Sequence, residues 1–172
     1  MTLILVGYMG SGKSSVAKKL AKILNYDVID FDVYIETKLN MTINDIFKTK
    51  GEVFFRKQES LYLKDVIKKE NTIVALGGGT PCYGNNLKMI KEAERSKTIY
   101  LKASINNLAE RLFYEKSTRP LISHLDTQDQ LLEFIGKHVF ERSPFYEQSD
   151  VIILTDSLSV DQVTESILLK LF

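Results

Sequence analysis

The chain has 172 residues, 44% of them hydrophobic, enough for one sizeable core and a single domain spanning 1–172. Its 23 basic and 22 acidic residues are dispersed and sum to a net charge of +1, so neither a nucleic-acid footprint nor a membrane-surface patch is indicated. No apolar run approaches the ~20 residues of a bilayer span, and one cysteine, Cys82, excludes an internal disulfide and fits a reducing compartment.

Met1-Thr2-Leu3 leads directly into a first strand, an expectation that leaves no room for a leader and points to a cytoplasmic protein. That strand runs into Gly7-Tyr8-Met9-Gly10-Ser11-Gly12-Lys13-Ser14, which satisfies the phosphate-loop spacing G-x-x-x-x-G-K-[ST]. The glycines free the backbone to aim successive N–H groups at phosphate oxygens, and the following helix adds its N-terminal dipole. Lys13 is expected to reach the terminal phosphates and Ser14 to ligate Mg²⁺. Val16, Leu20 and Leu24 then mark one helical face, and Asn25 reads as its stop.

Tyr26 to Asp32 reads as a second strand ending in two acids, with Asp30 and Asp32 projecting together at period two. They suit Mg²⁺ management and capture of a substrate hydroxyl; the alternative is a helix cap followed by a solvated acid, since Val33 to Leu39 looks helical. Residues 41–50 read as a short helix capped by Thr42. Glu52 to Lys69 reads as a long one, with Phe54 and Leu61 inward and Phe55 and Val66 as further candidates. On it, Arg56 and Glu59 share a face, either as an ordinary surface ion pair or as a guanidinium held in a fixed orientation.

Thr72 to Leu76 is a third strand, apolar on both faces as in a central parallel strand, and it enters Gly77-Gly78-Gly79. Three glycines at a strand end let a small molecule lie against backbone; a flexible turn is the alternative. Residues 85–95 read as a helix, Thr98 to Leu101 as a fourth strand, and Ser104 as the cap of a helix reaching Tyr114. Arg119 follows in a polar segment before Pro120, which biases it toward extended backbone. An arginine on such a segment reads as a lid over transferring phosphate or as an ordinary exposed loop residue. Residues 127–141 read as a helix, Asp150 to Leu154 as the fifth strand, and Val160 to Leu171 as the last helix. The alternation predicts a three-layer α/β/α domain around a five-stranded parallel sheet.

Eighteen lysines and five arginines (56, 95, 111, 119 and 142) show that ordinary surface positions are filled with lysine, which makes each arginine a candidate for bidentate recognition. Arg95, His124 and His138 read as surface, and Cys82 as packing.

Taken together, these stretches resemble the shikimate kinase family over nearly the whole chain. The resemblance rests on the phosphate loop, Asp30-Phe31-Asp32, Phe55-Arg56-Lys57-Gln58-Glu59, Gly77-Gly78-Gly79, Thr118-Arg119-Pro120-Leu121 and Arg142-Ser143-Pro144-Phe145-Tyr146. It implies a nucleoside-monophosphate-kinase-like P-loop fold, substrate-binding helices over about 32–62 and a mobile lid over about 114–125. It implies ATP-dependent phosphorylation of the shikimate 3-hydroxyl, with ATP and shikimate as partners and one Mg²⁺; a monomer is the default expectation. ATP would meet Gly10, Ser11, Gly12, Lys13, Ser14, Ser15, Arg111 against the adenine, and Arg119 from the lid. Asp32, Arg56, Glu59, Gly78, Gly79 and Arg142 would form the acceptor site, with Asp32 accepting the hydroxyl proton and Glu59 orienting Arg56. Lys13, Asp32 and Arg119 would be catalytic, and Ser14 and Asp30 would hold the metal. Tyr8 departs from the family, in which an apolar aromatic is commoner there. A kinase for another polyhydroxy carboxylate such as gluconate is the nearest alternative, and a non-catalytic nucleotide-binding module a further one. The D-x-x-G and N-K-x-D signatures of GTP switches are absent at the corresponding strand ends.

Overall fold

The computed structural model describes residues 1–119 and 121–172 and shows five parallel strands in the order β2-β3-β1-β4-β5. They are β1 (Thr2–Val6), β2 (Asp27–Asp30), β3 (Thr72–Ala75), β4 (Ser96–Lys102) and β5 (Val151–Leu154). Every residue of β1 is buried, because β3 and β4 flank it and helices cover both of its faces.

Side-chain alternation along the strands divides the core in two. Leu3 and Leu5 of β1, with Ile73, Ala75, Ile99 and Leu101, pack against α1 (Lys13–Leu24) and α8 (Val160–Leu171). Ile4 and Val6, with Val74, Leu76 and Tyr100, face the opposite layer. That layer comprises α2 (Phe31–Leu39), α3 (Ile43–Thr49), α4 (Glu52–Val66), α5 (Asn86–Glu92), α6 (Ile105–Glu115) and α7 (Gln128–Tyr146). The predicted α/β/α sandwich is therefore what forms. Among the described residues no helix is long and apolar enough to cross a membrane.

Polar side chains set most helix starts. Asp30, Thr42, Ser104, Thr127 and Ser159 each accept a backbone N–H at a helix N-cap, and Thr127 and Ser159 complete capping boxes with Gln130 and Gln162. Asn25 and Asn40 end α1 and α2 in the left-handed conformation asparagine tolerates.

Three readings change. The second strand stops at Asp30, which caps α2, so Asp32 lies in a helical first turn and not on an extended strand. α7 does not end near residue 141 but continues through Pro144 to Tyr146, which is completely buried. The proline forfeits one bond of the final turn, and burial of the tyrosine holds that turn in place. In α4, Leu61 points outward at 52% exposure, while Phe55, Glu59, Leu63 and Val66 face inward.

The connection after β1 leads to β2 past β3, whereas the one after β3 crosses β1 to reach β4. The carboxyl ends of β1 and β3 thus flank the switch point of the sheet, where open α/β folds bind ligands. The α4 register carries a test. Leu63→Ala is expected to cost about 2–5 kcal/mol and Leu61→Ala less than about 0.5 kcal/mol in equilibrium urea unfolding.

Candidate functional site

Two adjoining cavities open at that switch point, of about 330 and 320 Å³. Met9, Asp32, Gly77, Gly78 and Arg119 border both.

The first lies over the phosphate loop. Gly12, at φ 92°, turns the chain so that α1 begins at Lys13 with its free N–H groups facing the cavity. Gly7, at φ +147°, leaves no room for a side chain, because a Cβ there would sit 2.8 Å from the Leu101 carbonyl. Lys13 curls back over the loop, its Nζ donating to the carbonyls of Gly7 (2.8 Å) and Tyr8 (3.0 Å). Burial lowers Lys13 to about 8, although Asp32 opposes the shift.

Ser14 Oγ donates to Asp30 Oδ2 at 3.0 Å, and the other Asp30 oxygen accepts the Val33 N–H at 3.4 Å. Asp30 thus is the helix cap considered from the sequence, and it also bonds Ser14. A hydroxyl and a carboxylate facing each other beside the loop are hard oxygen donors. Among the described residues no group of three or more His, Cys, Asp or Glu is placed to hold a metal. So sparse a donor set fits Mg²⁺, which keeps waters and substrate phosphates as ligands and needs few from protein.

Asp32 stands between the cavities. Burial, and then Asp30, raise its carboxyl to about 6 against the pull of Lys13. A Cβ built on Gly77 would come within 2.5 Å of Asp32 Oδ1, and one on Gly79 within 3.0 Å of Arg56 Nη2. At these two positions the glycines also make room for the site's own side chains, and all three glycines line the second cavity.

The second cavity holds Arg56 and Arg142. Arg56 Nη1 donates to Glu59 Oε2 at 2.9 Å, and Glu59 is only 1% exposed, so this is not a surface pair. The buried Thr80 hydroxyl donates to the other Glu59 oxygen at 2.7 Å, and Asn86 holds the Thr80 carbonyl at 2.8 Å. The Arg56 guanidinium also lies over the Tyr83 ring, 3.7 Å from its centroid. Arg142 lies over the Tyr8 ring at 5.7 Å, and the buried Tyr146 hydroxyl donates to the Gly78 carbonyl.

The remaining predicted residues divide. Gly10, Ser15 and Arg119 line the phosphate cavity, and Arg119 has extended backbone and pairs with Glu115 at 2.6 Å. Ser11 and Arg111 line neither cavity; Ser11 is buried, and Arg111 donates to the Gly10 carbonyl at 3.2 Å. Pro120 lies outside the described residues. Arg95 is exposed and bonded to Glu70, and burial pushes the Cys82 thiol up to about 11, so neither gains a role at the site.

His138, read as surface, instead lines the second cavity and bonds the Tyr8 hydroxyl. One signal was available, since His138, Arg142 and Tyr146 recur at i, i+4 and i+8 and so share one face of α7.

The family model described as "Shikimate kinase" matches residues 9–172. A shikimate kinase of Flavobacterium johnsoniae is 41% identical over 167 residues, covering 96% of each chain. Among solved structures, shikimate kinase from Bacteroides thetaiotaomicron superposes with a TM-score of 0.91 at 33% identity, covering 99% of each chain. Shikimate kinase from Acinetobacter baumannii in complex with shikimate does so with a TM-score of 0.84 at 29% identity, covering 97% of this chain and 90% of that one. The two cavities, the motifs that line them and these likenesses along almost the whole length agree: this chain belongs to the shikimate kinase family.

Proposed function

We infer that the chain transfers the γ-phosphoryl group of ATP to the 3-hydroxyl of shikimate, giving shikimate 3-phosphate and ADP. The observation that carries this is the pairing of a phosphate loop with an adjoining cavity that holds two guanidiniums, Arg56 and Arg142, and the Asp32 carboxylate. Shikimate is a carboxylate bearing several hydroxyls, and those groups are its natural partners.

In this reading Arg56 and Arg142 bind the acceptor carboxylate, and Glu59 keeps Arg56 in plane through their 2.9 Å bond. Backbone at Gly78 and Gly79 lies along the acceptor ring. Asp32 orients the attacking hydroxyl and takes its proton as the oxygen–phosphorus bond forms, while the broken phosphorus–oxygen bond leaves its electron pair on ADP. Its raised affinity for a proton suits it to that task. Lys13 releases the carbonyls of Gly7 and Tyr8 to neutralise the terminal phosphates; Gly10, Gly12, Ser14 and Ser15 wrap them, Ser11 bracing the loop from behind through its N–H to the Tyr8 carbonyl, and Arg111 reaches toward the base. Ser14 and Asp30 would hold Mg²⁺, which when bound neutralises charge on the β- and γ-phosphates. Arg119 approaches from the lid, residues 114–119 with 121–125, and joins donor to acceptor because it borders both cavities. The single cysteine supports a reducing, cytoplasmic compartment and the dispersed charge argues against nucleic-acid or membrane partners, with a monomer as the default.

ADP release from the purified protein with Mg-ATP, with shikimate and with gluconate in parallel, tests the assignment. Release dependent on shikimate alone is expected; release with gluconate alone would overturn the acceptor. Asp32→Asn is expected to lower kcat by about 10²–10⁴ with ATP binding intact. In protein free of metal and nucleotide, the Asp32 carboxyl is expected to titrate near about 6 in a ¹³C NMR series. A protonated Asp32 accepts no proton, so turnover falls as pH drops through its pKa in the working complex. Arg142→Lys keeps the charge but loses the planar fork, and is expected to raise the shikimate KM about tenfold while leaving the ATP KM unchanged. Gly77→Ala should displace the Asp32 carboxylate and lower kcat on the order of 10²-fold, since its methyl would occupy the carboxylate's position. Parent-like kcat in that variant would contradict the close approach.

A further inference from the structure

Tyr8 meets both halves of the site with different parts of one residue. Its carbonyl accepts from Lys13 Nζ (3.0 Å) and from the Ser11 N–H (3.2 Å) within the phosphate loop. Its ring, 2% exposed, lies beneath the Arg142 guanidinium. Its hydroxyl bonds His138 Nδ1 at 3.1 Å. His138 stands on α7 one turn before Arg142, packs on Phe134 with ring centroids 4.3 Å apart, and lines the acceptor cavity.

A phenylalanine would fill the same volume without a polar atom. A buried hydroxyl without a partner costs about 1–3 kcal/mol, so the tyrosine requires the histidine. Burial pushes Tyr8 up to about 12, so it keeps its proton and donates, and Nδ1 accepts. Burial and then Arg142 lower His138, which favours the neutral ring with its proton on Nε2. Among the described residues Nε2 forms no hydrogen bond. The same α7 face is tied a second time, by Tyr146 to the Gly78 carbonyl. The helix segment carrying Arg142 is therefore pinned at one end to the loop after β1 and at the other to the loop after β3.

We propose that the Tyr8–His138 hydrogen bond is a positioning couple that sets the Arg142 guanidinium for the acceptor carboxylate and locks the acceptor helix to the phosphate loop. The proposal rests on the reading that Arg142 binds that carboxylate. Neither residue lines the cavity over the phosphate loop, so the couple governs acceptor affinity and not the chemical step.

The test is steady-state kinetics of the purified chain with Mg-ATP and shikimate, comparing Tyr8→Phe, His138→Leu and the double variant. Each single change is expected to raise the shikimate KM about five- to tenfold, with kcat and the ATP KM held within about twofold. The double variant is expected to lose no more than either single one, as two halves of one interaction do. His138→Asn, whose carboxamide offers an acceptor near the Nδ1 position, is expected to recover most of the affinity. An unchanged shikimate KM in Tyr8→Phe, losses that multiply in the double variant, no rescue by asparagine, or an ATP KM rising in step would each overturn the couple. A parent protein that releases no ADP with shikimate would overturn the acceptor reading and this proposal with it. An active parent with unmoved variants overturns the couple alone.

Discussion

Parallel pairing of β1 with β3 is the constraint from which the site follows. It aligns Leu5 with Ala75, so the two strands end side by side and their glycine loops face each other across a narrow gap. Everything polar in the site is fitted into that gap or hung over its rim. Asp32 reaches Gly77 so closely that even a methyl group would displace it, and Arg56 crowds Gly79 in the same way. The loops are thus shaped by the residues they accommodate as much as by any ligand.

Close fitting has an electrostatic counterpart. Lys13 and Asp32 are both withdrawn from water, and burial works against the charged form of each. Each also moderates the shift of the other. Charges held this way are poorly solvated before substrate arrives, so little water must be reorganised when phosphate charge is brought beside them. The ring of buried partners around Glu59 fixes Arg56 in advance, which in the proposed reading reduces the ordering that acceptor binding requires.

How far the sequence could be read depended on the range over which each signal acts. The phosphate loop was legible because its spacing, preceding strand and following helix are all local. The last helix, from Val160 to Leu171, was bounded correctly because a capping serine and a clean apolar period agree there. α4 misled because its buried face carries Arg56 and Glu59, so the inward stripe is interrupted by charge and Leu61 looked like part of it. Past Asp30 the period-two argument ran two residues too far, since the carboxylate that ends the strand also starts a helix. The seventh helix was bounded at residue 141 because the packing that holds Tyr146 in place is not visible in its neighbours. His138 escaped for the plainest reason: its partner is 130 residues away. Strand order likewise rests on contacts that no local pattern encodes.

In the proposed reading the sheet does not divide the labour of the reaction cleanly between its two sides. Lys13, Ser14 and Ser15 begin α1, in the layer built with α8, whereas Asp32, Arg56, Glu59 and Arg142 belong to the opposite layer of α2, α4 and α7. Asp30, which caps α2, and Arg111 of α6 stand on that second side as well, yet they are assigned to the metal and the nucleotide. The nucleotide would be gripped from both hydrophobic cores, so rebuilding one layer to admit a different acceptor would disturb that grip too. Exchange of acceptor in evolution is therefore tied to nucleotide handling and not independent of it.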